Sequence, residues 1–142
     1  MDIFELKEIL KKSYTKDTCW PILREKWSVD NPTLGQGAIT ALLVNELYGG
    51  KIMRCLVSYG GHYYNLIDDK IVDLTKEQFL GEIPGYNEGQ ERTREYLLSN
   101  EDTKNRYLLL KNNLEKTKEE DDMIRNKRYK TCVKQRKINI ER

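Results

Sequence analysis

Residues 37–48 constrain the fold more than any other part of the chain. Ala38, Ile39, Ala41, Leu42, Leu43, Val44, Leu47 and Tyr48 leave only Thr40, Asn45 and Glu46 polar between Gly37 and Gly49. An apolar run of this length reads as helix, and a helix apolar nearly all round has to be enclosed by the rest of the protein. Gly49-Gly50 supplies the left-handed stop that ends it. Whatever this chain folds into, that helix lies at its centre.

The flanking segments say what encloses it. Residues 3–14 set Ile3, Leu6, Leu10 and Tyr14 at helical spacing, with Phe4 and Ile9 beside them, which predicts an amphipathic first helix. Thr18-Cys19-Trp20-Pro21 breaks it, and Pro21 suits the first turn of a short second helix through about Trp27. Residues 28–36 read as loop, with Asp30-Asn31-Pro32 as turn chemistry and Gly35 as a flexible point. Beyond Gly50, the stretches 51–58, 62–67 and 70–74 read as short strands joined at Gly60-Gly61 and Asp68-Asp69. Thr75 then caps a helical turn over 76–80. Residues 81–90, with three glycines and Pro84, read as loop. A last helix is predicted from Thr103 to about Lys130, its apolar side formed by Tyr107, Leu108, Leu110 and Leu114. The order gives an α+β fold, a buried central helix packed on a short antiparallel sheet with an extra C-terminal helix. Composition divides it into a domain over 1–115 and a charged, mostly helical extension over 116–142.

A chain of 142 residues suits one domain with a modest core. Hydrophobic content of 38% and a mean hydropathy of -0.77 describe a polar protein, and no apolar run approaches the ~20 residues of a membrane span. The opening Met1-Asp2-Ile3-Phe4-Glu5-Leu6 lacks the basic and apolar regions of a secretion signal. Cys19, Cys55 and Cys132 form neither a metal spacing nor a paired set, so reduced thiols and a cytoplasmic location are expected, with no metal and no cofactor. The net charge of +2 conceals a basic tail: from Lys116 to Arg142 there are ten Lys/Arg against five Asp/Glu, leaving the body mildly acidic. Lys127-Arg128-Tyr129-Lys130 and Lys134-Gln135-Arg136-Lys137 offer phosphate contacts and a tyrosine to stack. The acidic run Glu119-Glu120-Asp121-Asp122 works against a basic groove, and a solvated helix without nucleic acid is the expectation.

The lone histidine, His62, sits in Gly60-Gly61-His62-Tyr63-Tyr64-Asn65, and Asp73 follows in Val72-Asp73-Leu74-Thr75. If Asp68-Asp69 or Asp69-Lys70 makes a two-residue hairpin turn, residues 62, 64 and 66 share a face with Asp73. With the first of these turns Tyr64 opposes Asp73, and His62 is its diagonal neighbour at roughly 7–8 Å, within side-chain reach. A carboxylate there can orient one imidazole nitrogen while the other faces a nucleophile. The ordinary alternative is a packed, hydrogen-bonded histidine. The buried helix is expected to cover this face with its N-terminus nearby, adding N–H donors for an oxyanion. Helix start, strand His and strand Asp follow in the chain order of a papain- or transglutaminase-like thiol site. Such a site needs Cys at the first helical position, which here is Gly37.

Several of these segments together resemble the YunG-like family of small bacterial proteins. They are Trp27-Ser28, Asn31-Pro32-Thr33-Leu34-Gly35-Gln36, Ala38-Ile39-Thr40-Ala41-Leu42, Gly49-Gly50, His62-Tyr63-Tyr64-Asn65, Asp73-Leu74-Thr75 and Gln78-Phe79. Arg94-Glu95-Tyr96-Leu97-Leu98 and Arg106-Tyr107 also fit, so the resemblance covers roughly residues 1–115 and leaves out the tail. It implies a papain-like or transglutaminase-like cysteine fold in which Gly-Gln-Cys opens the central helix, His62 is the base and Asp73 its orienter. Gly37 stands where the family has Cys. Two accounts of that glycine stay open: a deliberate change that traps substrate or abolishes toxicity, or a natural non-catalytic member that keeps the pocket for binding.

The function expected is therefore that of a cysteine-enzyme scaffold for acyl transfer, or for amide or thioester hydrolysis, disabled at Gly37. The residue 37 N–H and the Gln36 amide are its candidate oxyanion donors. The alternative is a binding or regulatory protein whose retained cleft holds a peptide or protein partner. Of the other thiols, Cys19 alone has a case as a substitute nucleophile, because it precedes Trp20.

Overall fold

The structure, a computed structural model, describes residues 1–141. Helix α1 spans Ile3–Ser13, with Asp2 as its cap: the carboxylate accepts from the Glu5 N–H at 2.9 Å. A 3-10 turn over Pro21–Lys26 takes the place of the short second helix, with Pro21 in its first turn as expected. Helix α2 spans Gly37–Tyr48, the bounds its composition predicts, and Gly49 leaves it at φ 76°. Strands β1 (Lys51–Val57), β2 (Gly60–Ile67), β3 (Lys70–Val72) and β4 (Gln90–Arg92) form one antiparallel sheet in the order β3-β2-β1-β4. Helices α3 (Arg94–Leu98) and α4 (Glu101–Glu141) complete the described chain.

Helix α2 is apolar all round because it is covered on both sides. Ile39, Leu42, Leu43 and Val44 are at most 2% exposed, and they meet β1 and β2 through Ile52, Tyr63 and Ile67. On the other side lie Leu6, Leu10 and Tyr14 of the N-terminal segment and Tyr107, Leu110 and Leu114 of α4. Burial of each such aliphatic side chain contributes about 1.5–3 kcal/mol. Polar contacts fix the helix within this apolar surround. Tyr14 bonds Thr40 at 2.6 Å, Asn65 Nδ2 donates to the Ala41 carbonyl at 2.9 Å, and Arg94 Nη1 donates to the Leu42 carbonyl at 2.8 Å.

Four expectations are corrected. The β1–β2 turn is Ser58-Tyr59, because Val57 pairs with Gly60 and both glycines belong to β2. Strand β3 ends at Val72, which leaves Asp73 just beyond it. The loop after residue 80 contains a 3-10 turn, Tyr86–Glu88, and leads into β4 and α3, both too short to leave a periodic signal. Helix α4 begins at Glu101, two residues before the expected start, where Asn100 Oδ1 accepts from the Thr103 N–H at 3.0 Å. It continues to Glu141 because no Gly or Pro interrupts it, and it is about 60 Å long. Its packing on α1 reaches Ser13–Thr117 and Lys12–Asp121, so the compositional boundary at 115 falls within a continuous helix. The residues beyond are mostly exposed. Among the described residues no helix is long and apolar enough to cross a membrane, and no group of three His, Cys, Asp or Glu is placed to hold a metal ion.

This division of packing has a measurable consequence. Leu110→Ala should lower the unfolding free energy by about 2–5 kcal/mol in urea titrations. Deleting residues 122–142 should change it by less than about 0.5 kcal/mol. A larger loss on deletion would place part of the core in the tail.

Candidate functional site

The Asp68-Asp69 turn sets the register on which the site depends. Both residues have positive φ, 50° and 61°, the backbone a two-residue type I′ hairpin requires. Ile67 therefore pairs with Lys70 and Asn65 with Val72, and the next step of that register brings Asp73 alongside β2 on the His62 side. His62 Nε2 lies 2.7 Å from Asp73 Oδ2, with the two side chains 3% and 2% exposed. A carboxylate only accepts, so Nε2 carries a proton, and in the neutral imidazole Nδ1 then keeps its lone pair.

Nδ1 faces residue 37. A Cβ built on Gly37 would lie 3.1 Å from His62 Nδ1, 3.3 Å from Cε1 and 3.3 Å from the Tyr63 carbonyl oxygen, tighter than ordinary contact, so a side chain there needs the imidazole to give by a few tenths of an ångström. The first residue of α2, the imidazole and the carboxylate thus stand in line. The helix does not arrive by the expected route. Asn65, Tyr63 and Ile67 are the β2 side chains that meet α2, so the helix body lies on the sheet face opposite His62 and Tyr64. Only its first turn reaches the imidazole, past the Tyr63 carbonyl. The His62 face is covered instead by the segment after β3: Phe79 meets the imidazole edge-on at 4.7 Å, and Tyr86 meets Tyr64 at 4.9 Å.

Asp73 gathers further donors that the sequence did not disclose. The Tyr86 hydroxyl donates to Oδ2 at 2.6 Å, and the Thr75 N–H and hydroxyl reach Oδ1 at 3.2 and 3.4 Å. The only trace of Tyr86 in the sequence is a lone aromatic residue in a loop rich in glycine. Burial, followed by the adjoining carboxylate, pushes the Tyr86 phenol well above its ordinary range. Gln78 is a second undisclosed contributor. Its Oε1 accepts from the Gly35 N–H at 3.1 Å and from the Tyr59 hydroxyl at 2.9 Å, and its Nε2 donates to the Thr75 carbonyl at 2.9 Å. One buried amide therefore ties the loop before α2 to the β1–β2 hairpin and to the segment that carries Asp73.

Gln36 does not serve the site as expected. Its side chain is fully buried, and in either amide orientation it bonds the turn at Thr15–Cys19. Nε2 donates to the Thr15 carbonyl at 3.3 Å, or, with O and N exchanged, to the Thr18 hydroxyl at 2.9 Å. It therefore positions the loop and presents no donor to the cleft. No side chain caps α2, and Gly37 and Ala38 at its start line the cleft, so the backbone N–H of residue 37 remains the candidate donor. Cys19 is also excluded as a substitute nucleophile. It is fully buried against Gly35, whose added Cβ would sit 2.5 Å from its Sγ, and burial pushes its thiol up. Cys55 is buried in β1 with its thiol raised in the same way, and Cys132 is exposed on α4.

Residue 37 and His62 open into a cleft of about 570 Å³. Trp20 and Leu23 give it an apolar side, and Ser99, Asn100 and Thr103 at the α3–α4 corner give it a polar one. The cleft is large enough for a short peptide segment or an acyl chain.

Comparison with known proteins places these residues in a family context. The profile of a family described as YunG protein matches residues 2–119. A relative described as "Uncharacterized protein YunG", from Bacillus subtilis (strain 168), is 32% identical over 97 residues, covering 68% of this chain and 80% of that protein. No solved structure matches the chain.

The Tyr86–Asp73 contact should be visible in alkaline unfolding. The folded state holds the phenol proton more tightly, so the unfolded chain loses it first as pH rises through about 10. Stability should therefore decline above about pH 10, and Tyr86→Phe should make that decline shallower in urea titrations. An unchanged slope would mean that Tyr86 ionises alike in both states.

Proposed function

This chain belongs to the YunG protein family, and we propose that its scaffold is that of a papain-like or transglutaminase-like cysteine enzyme of the acyl-transfer class. Gly37 occupies the nucleophile position, and the chain with this glycine holds its acyl partner without turning it over. One observation carries this reading: a side chain at residue 37 would begin 3.1 Å from an imidazole nitrogen whose opposite nitrogen is held by a buried carboxylate.

The chemistry follows from that alignment. A thiol at residue 37 would give its proton to His62 Nδ1, and the thiolate would attack the carbonyl carbon of an amide or thioester. Collapse of the tetrahedral intermediate breaks the bond to the leaving amine or thiol, which takes the proton from His62. Water, deprotonated by the same nitrogen, then releases the acyl group and restores the thiol. Asp73 keeps Nε2 protonated and fixes the ring, and the residue 37 N–H at the start of α2 faces the developing oxyanion. Glycine supplies no sulfur, so nearly all of the covalent advantage is absent while the binding surface persists.

Installing the nucleophile tests this directly. In a Cys132→Ser background, the thiol introduced by Gly37→Cys should react with iodoacetamide at pH values well below the ~8.5 at which a free thiol ionises. His62→Ala should return its pH profile to that of free cysteine. A thiol that behaves as free cysteine with His62 present would defeat the assignment.

The bare backbone at residue 37, which lines the cleft with no side chain over it, favours a second reading, a non-catalytic binding protein that holds a peptide or protein end close to the helix start. A partner captured by the unmodified chain should then be lost on Gly37→Leu, which covers the helix start with a bulky side chain. Capture indifferent to Gly37→Leu and to His62→Ala would locate binding elsewhere.

A further inference from the structure

Resting on the acyl-transfer reading of the cleft, we propose that its partner is anionic: an acyl donor bearing a carboxylate, which Arg54 receives beside residue 37. The charge distribution points there. No Asp or Glu lines the cleft, and its two charged lining residues are Arg54 and Arg106. Arg106 is largely committed, with Nε on Asp102 at 2.8 Å and Nη1 on the Thr18 carbonyl at 3.1 Å. Arg54 is half-buried and makes no ion pair among the described residues.

The sequence makes room for this cation. Arg54 on β1 pairs with Tyr63 on β2, and its guanidinium lies across Gly61, the residue preceding His62. A Cβ at Gly61 would stand 2.5 Å from both Nε and Nη2. The glycine that resembled a turn signal in the sequence is thus the seat of a guanidinium one residue from the imidazole. A half-buried guanidinium without a counter-charge is incompletely compensated, and its planar fork matches a carboxylate with two parallel hydrogen bonds. A neutral partner leaves that fork unfilled. An acidic one fills it without competition from any carboxylate on the cleft wall.

Two alkylating reagents separate this inference from the reading beneath it. The thiol introduced by Gly37→Cys, in the Cys132→Ser background, is treated with iodoacetate, which carries the carboxylate, and with neutral iodoacetamide. In each case the thiolate forms an S–C bond and iodide departs, so the two reagents differ in charge and not in chemistry. The iodoacetate-to-iodoacetamide rate ratio should exceed that of free cysteine by about three- to tenfold, and salt should reduce the excess. Arg54→Gln should return the ratio to the free-cysteine value. Gly61→Ala, which keeps the charge and pushes the guanidinium off its seat, should lower it partway, and this second variant keeps the test open if Arg54→Gln fails to fold. A ratio equal to that of free cysteine, or one unmoved by both substitutions, overturns the anionic assignment. A slow reaction with iodoacetamide counts against the acyl-transfer reading instead, because the ratio reports charge preference however fast the thiol reacts.

Discussion

A carboxylate that is 2% exposed must be met by donors, since burying one without them costs several kcal/mol. Asp73 meets that requirement with donors from three segments: His62 on β2, Thr75 at the start of the following turn, and Tyr86 eleven residues later. This requirement draws the loop after β3 over the sheet face that α2 leaves bare. Phe79 and Tyr86 then close over the imidazole and over Tyr64. The His62 orientation is a product of the same demand. With one ring nitrogen on Asp73, the other faces residue 37.

The helix that brings residue 37 there is held along its axis as well as by burial. Tyr14 on Thr40, Asn65 on the Ala41 carbonyl and Arg94 on the Leu42 carbonyl lock three successive positions of α2 to three different segments. A slide of one residue would move the helix start by about 1.5 Å and turn it by about 100°, enough to carry residue 37 off the imidazole. Gln36 and Gln78 hold the approach to that start through the Thr15–Cys19 turn, Gly35 and Tyr59. A scaffold that spends buried amides on the backbone just before a helix places the first helical residue with little freedom.

Much of this was legible in the residues. Helix α2 was readable to its ends because unbroken apolarity and Gly49-Gly50 leave few alternatives. The closeness of His62 and Asp73 was readable because a two-residue turn fixes side-chain parity, and Asp68 and Asp69 tolerate the left-handed backbone such a turn demands. What escaped lacked a local signature. Strand β4 is three polar residues, α3 is little more than one turn, and Tyr86 joins Asp73 across a loop. Gly60 and Gly61 misled, since glycine marks turns and also makes room for a neighbour; taking them as the turn shifts the β1–β2 register and hides Arg54, the diagonal neighbour of Gly61. Gln36 misled in the other direction: a polar residue before a helix suggested a donor to the cleft, yet its partners are the turn it fastens.

The central claim is that Asp73 holds the His62 proton on Nε2 and so aims a bare Nδ1 at residue 37. Because the chain has a single histidine, long-range 15N–1H correlation of the uniformly labelled, unmodified protein reads this tautomer without assignment ambiguity. The account predicts that the neutral imidazole is the Nε2–H form, with an unprotonated Nδ1. A spectrum showing the Nδ1–H tautomer, or rapid averaging between the two, would contradict it.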